Sequence, residues 1–333
     1  MLSENYKRVI LIFFDLLFSA YIWNVNASWG NPFYTCLLLS TTTFLIIYTP
    51  FEIYWSFRDI YFKRWAPIKY NNLKKSNIKI KVEQSKKEKS NYLGGFLISP
   101  DEHHKDQSKD TIVIVCHGFS DKKETLEYYY LPLAYQGYTI LVYDARGTGE
   151  SKKVGKRSQF IKRIDDFKKI VSWIENNSKL KSYRIFAAGF SIGAITVLCG
   201  GFSSENVKKI IAISSMSYYK QNLPKYNLIV MLSYLIKGVK LFPNTRENEE
   251  LSPYIVIERF KSLITDEEWK YYSQRVFLIH ARNDKIIKFK NFNENATLLD
   301  ITEKNKLILK TGGHTQKKNE LLLVAASLDF FNS

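Results

Sequence analysis

Gly189-Phe190-Ser191-Ile192-Gly193 places a serine between two glycines, in the pattern G-x-S-x-G. Residues 183–188 before it form a short apolar run with the character of a buried strand, and residues 194–199 after it continue as a buried helix. A sharp strand-to-helix turn of this kind lifts a serine hydroxyl clear of a sheet. The small neighbours let strand and helix approach around a strained backbone. A serine nucleophile needs a base, a carboxylate that orients the base, and donors for an oxyanion. Downstream, the strand-like run 275–280 ends in Ala281-Arg282-Asn283-Asp284, and the run 306–310 ends in Thr311-Gly312-Gly313-His314. Upstream, the run 111–116 ends in His117-Gly118-Phe119-Ser120, where a donor-presenting turn belongs. Ser191, Asp284 and His314 therefore each fall just past the C-terminal end of an expected strand, where ligands bind in open α/β sheets. Phe119 and Ile192 are the expected backbone N–H donors.

These motifs give the chain a resemblance. It resembles the α/β-hydrolase superfamily, especially the monoacylglycerol-lipase-like and serine-aminopeptidase-like branch. The residues that carry it are His117-Gly118-Phe119, Asp144-Ala145-Arg146-Gly147-Thr148-Gly149-Glu150-Ser151, the serine turn, Asn283-Asp284 and Gly313-His314. The chain order Ser191, Asp284, His314 is that of the superfamily. The resemblance runs from about Asn77 to the C-terminus and is more specific for fold and triad than for substrate. It implies Ser191 as nucleophile, His314 as base, Asp284 as orienter, and no metal or organic cofactor.

The other histidines fit the base role less well. His117 precedes the turn glycine, a structural position in the family. His280 lies at a strand end and reads as a packing residue. His103 and His104 sit in a polar loop with Asp101, Glu102 and Asp106, at a spacing that matches no standard metal site. The two-glycine segment 144–151 invites a phosphate-loop reading but lacks both G-x-x-x-x-G-K-[ST] and G-x-G-x-x-G. The resemblance makes it a tight turn braced by Asp144 and Arg146.

With 333 residues the chain has room for one large α/β domain and an appendage. Its three cysteines, Cys36, Cys116 and Cys199, suggest no disulfide framework. A net charge of +17 raises the question of nucleic acid. The basic residues concentrate between Arg58 and Lys89 and no nucleic-acid motif appears, so no nucleic-acid partner is expected. Attraction to an anionic bilayer surface is the simpler reading, alongside an ordinary lysine-rich solvated surface.

The N-terminus supplies the appendage. Residues 9–23 are apolar except for Asp15, residues 24–32 are nearly uncharged, and residues 33–49 carry no charge. Tyr21, Trp23, Trp29, Tyr34, Tyr48 and Trp55 flank the runs, as interfacial aromatics do. Each strict run reaches only about 24 Å as a helix, against a hydrocarbon core of about 30 Å; tolerated flanks bring both near spanning length. The expectation is a two-helix membrane hairpin with Asp15 turned to its partner, where Ser40, Thr41, Thr42 and Thr43 offer hydroxyls. A single span at 33–49, a cleaved signal peptide and a soluble apolar cap are the alternatives. Lys7 and Arg8 precede the first run, and Arg58, Lys63, Arg64, Lys69, Lys74 and Lys75 follow the second. The positive-inside rule then places the N-terminus and the following domain in the cytoplasm.

The remaining elements read as strands at 77–82, 92–99, 138–143 and 209–214, and helices at 123–136, 159–176 and 320–331. A charged hairpin turn at 84–90 joins the first two strands. Strands alternating with helices imply a mostly parallel sheet covered on both faces. An insertion at about 217–274 sits where the family carries its cap, and its apolar segment 226–242 is either a lid lining an acyl pocket or plain packing. The expected organisation is an anchor at 1–56, a basic linker at 57–76 and an α/β-hydrolase domain at 77–333. The expected function is a membrane-anchored serine hydrolase cleaving acyl esters, lipid-like ones first, then thioesters and small peptides. A non-catalytic scaffold of the same fold has no need of a complete triad.

Overall fold

The computed structural model describes residues 4–62, 72–83, 89–100, 109–223 and 228–333. The chain divides between Ala66 and Pro67 into two units. The first holds α1 (Glu4–Ser28) and α2 (Phe33–Phe62). Gly30, at φ +76, ends α1 in the left-handed conformation that favours glycine, and its N–H bonds the Ala27 carbonyl at 3.0 Å. The Pro32 carbonyl then starts α2 by accepting from Thr35 and Cys36. The turn expected over 24–32 is therefore shorter, because α1 runs on through Ser28.

That extension settles the length question. Arg8–Ser28 and Phe33–Trp55, of 21 and 23 residues, are long and apolar enough to cross a membrane. They reach about 32 and 35 Å at the helical rise. An ion pair of 3.4 Å joins Arg8 on α1 to Glu52 on α2. Phe13, Phe14, Leu38 and Ile46 are exposed, while Asp15 is buried at 2 %. The expected hydroxyl bonds to Asp15 do not form. Ser40 Oγ donates to the Ser19 carbonyl at 2.9 Å and Thr43 Oγ1 to Leu39 at 2.8 Å. Helix hydroxyls satisfy backbone carbonyls more readily than a distant side chain, and neither Asp15 oxygen has a hydrogen-bond partner among the described residues.

In the second unit the described strands form one eight-stranded sheet: β1 (Leu73–Lys81), β2 (Tyr92–Pro100), β3 (Thr111–Cys116), β4 (Thr139–Tyr143), β5 (Arg184–Phe190), β6 (Val207–Ile213), β7 (Val276–Ala281) and β8 (Lys306–Leu309). The order is β1-β2-β4-β3-β5-β6-β7-β8. The β1–β2 and β2–β4 pairs are antiparallel, and every pair from β4 to β8 is parallel. All six residues of β3 are buried, so both faces of the sheet are covered. Ile112, Val113, Ile114 and Val115 are each fully buried, and each contributes about 1.5–3 kcal/mol.

The first strand begins at Leu73, inside the stretch read as linker, rather than at Asn77. Leu73–Ser76 pair with Leu97–Pro100 in the antiparallel ladder, and Lys75 Nζ lies 3.7 Å from the centre of the Phe96 ring. An edge strand can carry Lys74 and Lys75 outward without breaking the ladder, which is why its start lacks apolar alternation. Lys63, Arg64, Lys69, His103 and His104 fall outside the described residues, as does most of the 84–90 turn.

The helices are α3 (Glu127–Tyr135), α4 (Phe160–Glu175) and α5 (Ile192–Gly201), then α6 (Leu228–Ile236), α7 (Thr245–Leu251), α8 (Pro253–Lys261) and α9 (Asp266–Gln274) between β6 and β7, and finally α10 (Lys290–Leu298) and α11 (Glu320–Asn332). The insertion divides in character. Ile257 of α8 and Trp269 and Tyr272 of α9 join the main core. Leu232, Leu235 and Ile236 of α6 and nearby Phe242 stand exposed. Ordinary packing thus accounts for the second half of the insertion, while α6 packs through Tyr234 and leaves Leu232, Leu235 and Ile236 exposed.

Candidate active site

Ser191 sits between β5 and α5 at φ 56 and ψ −115. For a non-glycine residue that backbone is strained by on the order of 1–3 kcal/mol. Its neighbours make the turn sterically possible. A Cβ on Gly189 would stand 2.2 Å from the Gly193 carbonyl oxygen, and one on Gly193 would stand 2.1 Å from the Cys116 carbonyl oxygen. Only bare backbone lets β5, α5 and the end of β3 converge there. The Ser191 N–H is tied to the Ile213 carbonyl at 2.9 Å, fixing the turn to β6.

His314 Nε2 lies 2.9 Å from Ser191 Oγ, and His314 Nδ1 lies 2.8 Å from Asp284 Oδ2. An ionised carboxylate only accepts, so Nδ1 carries the proton and Nε2 offers its lone pair to the serine hydroxyl. Asp284 is 5 % exposed. Burial opposes its charge, but bonds from His314, Ile287 N–H and Ile286 N–H outweigh it and hold the carboxyl below its ordinary 3.8. The loops carrying acid and base are also bonded directly, Gly313 N–H donating to Asn283 Oδ1 at 2.9 Å. Such a relay can move a proton from a hydroxyl to an imidazole and stabilise the imidazolium.

Ile192 opens α5, so its N–H has no partner within the helix. At the end of β3, the Ala145 N–H donates to His117 Nε2 at 2.9 Å. The His117 proton is therefore on Nδ1, which donates to the Gly118 carbonyl at 2.7 Å. In a trans peptide the carbonyl and the next N–H point opposite ways, so this bond aims the Phe119 N–H away from His117. His280 is buried, its Nε2 bonds the Ile287 carbonyl at 2.8 Å, and it lies 3.5 Å from the Asp284 carboxylate. Neither His117 nor His280 contacts Ser191. Asp144 accepts from Lys123 and Glu150, and Arg146 holds Asp166 through two bonds of 2.6 and 2.7 Å. The 144–151 turn is thereby cross-braced, with its polar groups engaged inside the protein. Among the described residues no three His, Cys, Asp or Glu side chains converge as a metal set.

Residues 107–263 match the family model of the serine aminopeptidases, S33. An esterase of Pyrococcus furiosus superposes with a TM-score of 0.52 at 22% identity, over 80% of this chain and 95% of that one. The chain has the α/β-hydrolase fold. Its fold is shared with an acylaminoacyl peptidase of Pyrococcus horikoshii, at 19% identity and a TM-score of 0.52, over 81% of this chain and 42% of the other. The chain is also 25% identical over 189 residues to the uncharacterized protein YqkD of Bacillus subtilis (strain 168), covering 53% of this chain and 55% of that protein. It thus spans about half the length of that curated relative. The matched family model is described as serine aminopeptidase, and the fold neighbours are an esterase and a peptidase.

Several residues around the candidate site carry no local signal in the sequence. Lys237, just after α6, places Nζ 3.3 Å from Ser120 Oγ and 5.5 Å from the centre of the Phe119 ring. Phe119 also meets Phe160 edge-on at 5.4 Å and Tyr234 at 6.0 Å. These contacts bring together a cap helix, α4 and the turn after β3, which nothing local in the sequence announces. Beyond Phe160 lies a cavity of about 340 Å³, walled by Phe160, Tyr219 and Leu251 and rimmed by Lys156, Lys162 and Lys240. No triad member lines it.

The His117 brace makes stability depend on pH. Burial first, and then the Arg163 charge, lower its pKa from the ordinary 6.5 to about 3. The folded protein therefore keeps His117 neutral where the unfolded chain takes up a proton. The resulting stabilisation is complete above about pH 6.5 and is lost as pH falls from there toward 3. At most this loss is about 1.4 kcal/mol per pH unit. Urea unfolding between pH 7.5 and 5 should show it, and His117→Gln should flatten the slope. An unchanged slope in the variant would place the proton uptake elsewhere, His280 being the next buried imidazole.

Proposed function

We propose that this protein is a membrane-anchored serine esterase that cleaves acyl esters, lipid-like ones first. The observation that carries the reading is the continuous relay from Ser191 Oγ through the His314 ring to the Asp284 carboxylate. In the proposed mechanism Ser191 Oγ attacks the ester carbonyl carbon as His314 Nε2 takes its proton. The carbonyl π electrons move to oxygen, and the Phe119 and Ile192 N–H groups receive that oxyanion. Collapse expels the alcohol, which takes its proton from His314, and leaves an acyl-enzyme. Water then repeats the sequence from the other side and frees Ser191. Asp284 holds the imidazole in the required tautomer throughout.

Two features favour an apolar acyl substrate held at a bilayer. Exposed Leu235, Ile236 and Phe242 stand on the cap segment that reaches the Phe119 turn. The two N-terminal helices have the length and composition of membrane spans, and the flanking basic residues orient the hydrolase unit toward the cytoplasm. The test is turnover of p-nitrophenyl esters from acetate to palmitate, beside matched thioesters and aminoacyl amides. The expected result is kcat/KM rising at least tenfold from acetate to medium or long chains. Faster turnover of the thioesters or amides than of every ester would replace the esterase reading with thioesterase or peptidase chemistry on the same three residues.

A further inference from the structure

Arg163 lies in the first turn of α4 and is 2 % exposed. None of its three guanidinium nitrogens has a hydrogen-bond partner among the described residues. The carboxylate on its own helix, Asp166, attracts the Arg163 charge but spends its hydrogen bonds on Arg146 Nε and Nη2. Asp144 is likewise paired with Lys123, and Arg157 adds a further positive charge nearby. His117, the remaining titratable group of the β3 turn, is held neutral. An arginine buried without a hydrogen-bonded anion is strongly destabilising. Such a residue breaks a rule of folding that a functional site has reason to break.

Its position suggests the reason. The guanidinium stands over the Phe160 ring, 5.6 Å from its centre, and Phe160 meets the Phe119 ring at 5.4 Å. Its charge acts on Cys116, His117 and Tyr143, at the C-terminal ends of β3 and β4. One aromatic ring therefore separates an unspent positive charge from the residue whose N–H faces the nascent oxyanion. We propose that Arg163 is a positioning charge: buried and, among the described residues, without a hydrogen-bond partner, it stabilises the negative charge that gathers on the carbonyl oxygen when Ser191 attacks. The inference rests on Ser191 being the nucleophile. A guanidinium already matched by a carboxylate would present little net field; an unmatched one, screened by protein rather than water, presents most of its own. Because it is fixed beforehand, no reorganisation is needed when the oxyanion forms.

The test compares full-length wild type with Arg163→Met and Arg163→Lys. Met fills similar space without charge, and Lys keeps the charge. For Arg163→Met the expected result is a fall in kcat of about tenfold with KM within twofold. Affinity for a trifluoromethyl ketone, which binds as an oxyanion, should fall by a similar factor. The melting temperature should stay level or rise, because an unpaired charge has been removed. Lys should recover kcat to within about threefold. An Arg163→Met enzyme with wild-type kcat would overturn the proposal. So would a Met variant that melts lower or fails to fold, since the guanidinium would then be a structural contact. Fluorophosphonate labelling of the wild type guards the premise: absent labelling would sink the Ser191 reading itself, whatever the Arg163 variants do.

Discussion

Ser191→Ala protein is expected to fold as the parent does and to lose both fluorophosphonate labelling and ester turnover, with kcat down by roughly 10⁴-fold or more. His314→Ala should fall by a comparable factor. Combining the two should cost little beyond either alone, because both act in one proton-transfer unit. Asp284→Asn is the subtler case. The Asn283–Gly313 bond keeps the two loops together, so the imidazole should stay in place while its preferred tautomer changes. Burst titration with a nitrophenyl ester would separate these effects by counting competent serines. Full turnover by a well-folded Ser191→Ala protein would remove the assignment altogether.

The site was legible in the sequence to the extent that chemistry is tied to strand ends. His314 and Ser191 are far apart along the chain, yet each follows a compact apolar run, and parallel pairing of β5, β6, β7 and β8 brings those ends to one edge. The residues 111–116 read as a strand are β3 itself, because a fully buried parallel strand has no polar face to blur its limits. What was not legible depends on contacts between distant elements. Lys237 is one lysine among many until the cap folds over Phe119. Arg163 sits in an amphipathic stretch whose pattern makes it look like a surface charge. The start of β1 was hidden because Lys74 and Lys75 resemble the basic stretch before them. Asp15 stands out in the sequence, but Ser40 and Thr43 give their hydroxyls to backbone carbonyls, at Ser19 across the hairpin and at Leu39 on the same helix.

Full-length protein is expected to sediment with membranes and to resist both carbonate and high salt. A truncation beginning at Asn72 should appear in the soluble fraction or be released by salt alone. The motivation is the pair of apolar stretches Arg8–Ser28 and Phe33–Trp55, against a remainder whose hold on lipid is its basic surface. Charge attraction of that kind is screened within about 8 Å at physiological ionic strength. The difference should be near all-or-none in a flotation assay. Single cysteines introduced into the 29–32 turn should react with impermeant reagents from outside the cell, and cysteines on the hydrolase surface should not. The native thiols will not interfere, since Cys36, Cys116 and Cys199 are all buried. Release of the full-length protein by salt would sink the anchor and, with it, the predicted sidedness.

The position of β1 bears on how readily the second unit could associate through its sheet edge. It is the outermost strand on its side of the sheet, and Lys74, Lys75, Lys79 and Lys81 lie along it. Lysines on an open edge discourage a second chain from adding its own strand there. Behind them is β2, whose Leu93, Phe96 and Ile98 are buried and whose polar backbone β1 covers. A chain cut at residue 77, where the alternating pattern begins, would lose Leu73–Ser76 and two of those lysines. It would uncover the Leu97–Pro100 end of β2, leaving an apolar strand with free donors and acceptors and a weakened guard against self-association.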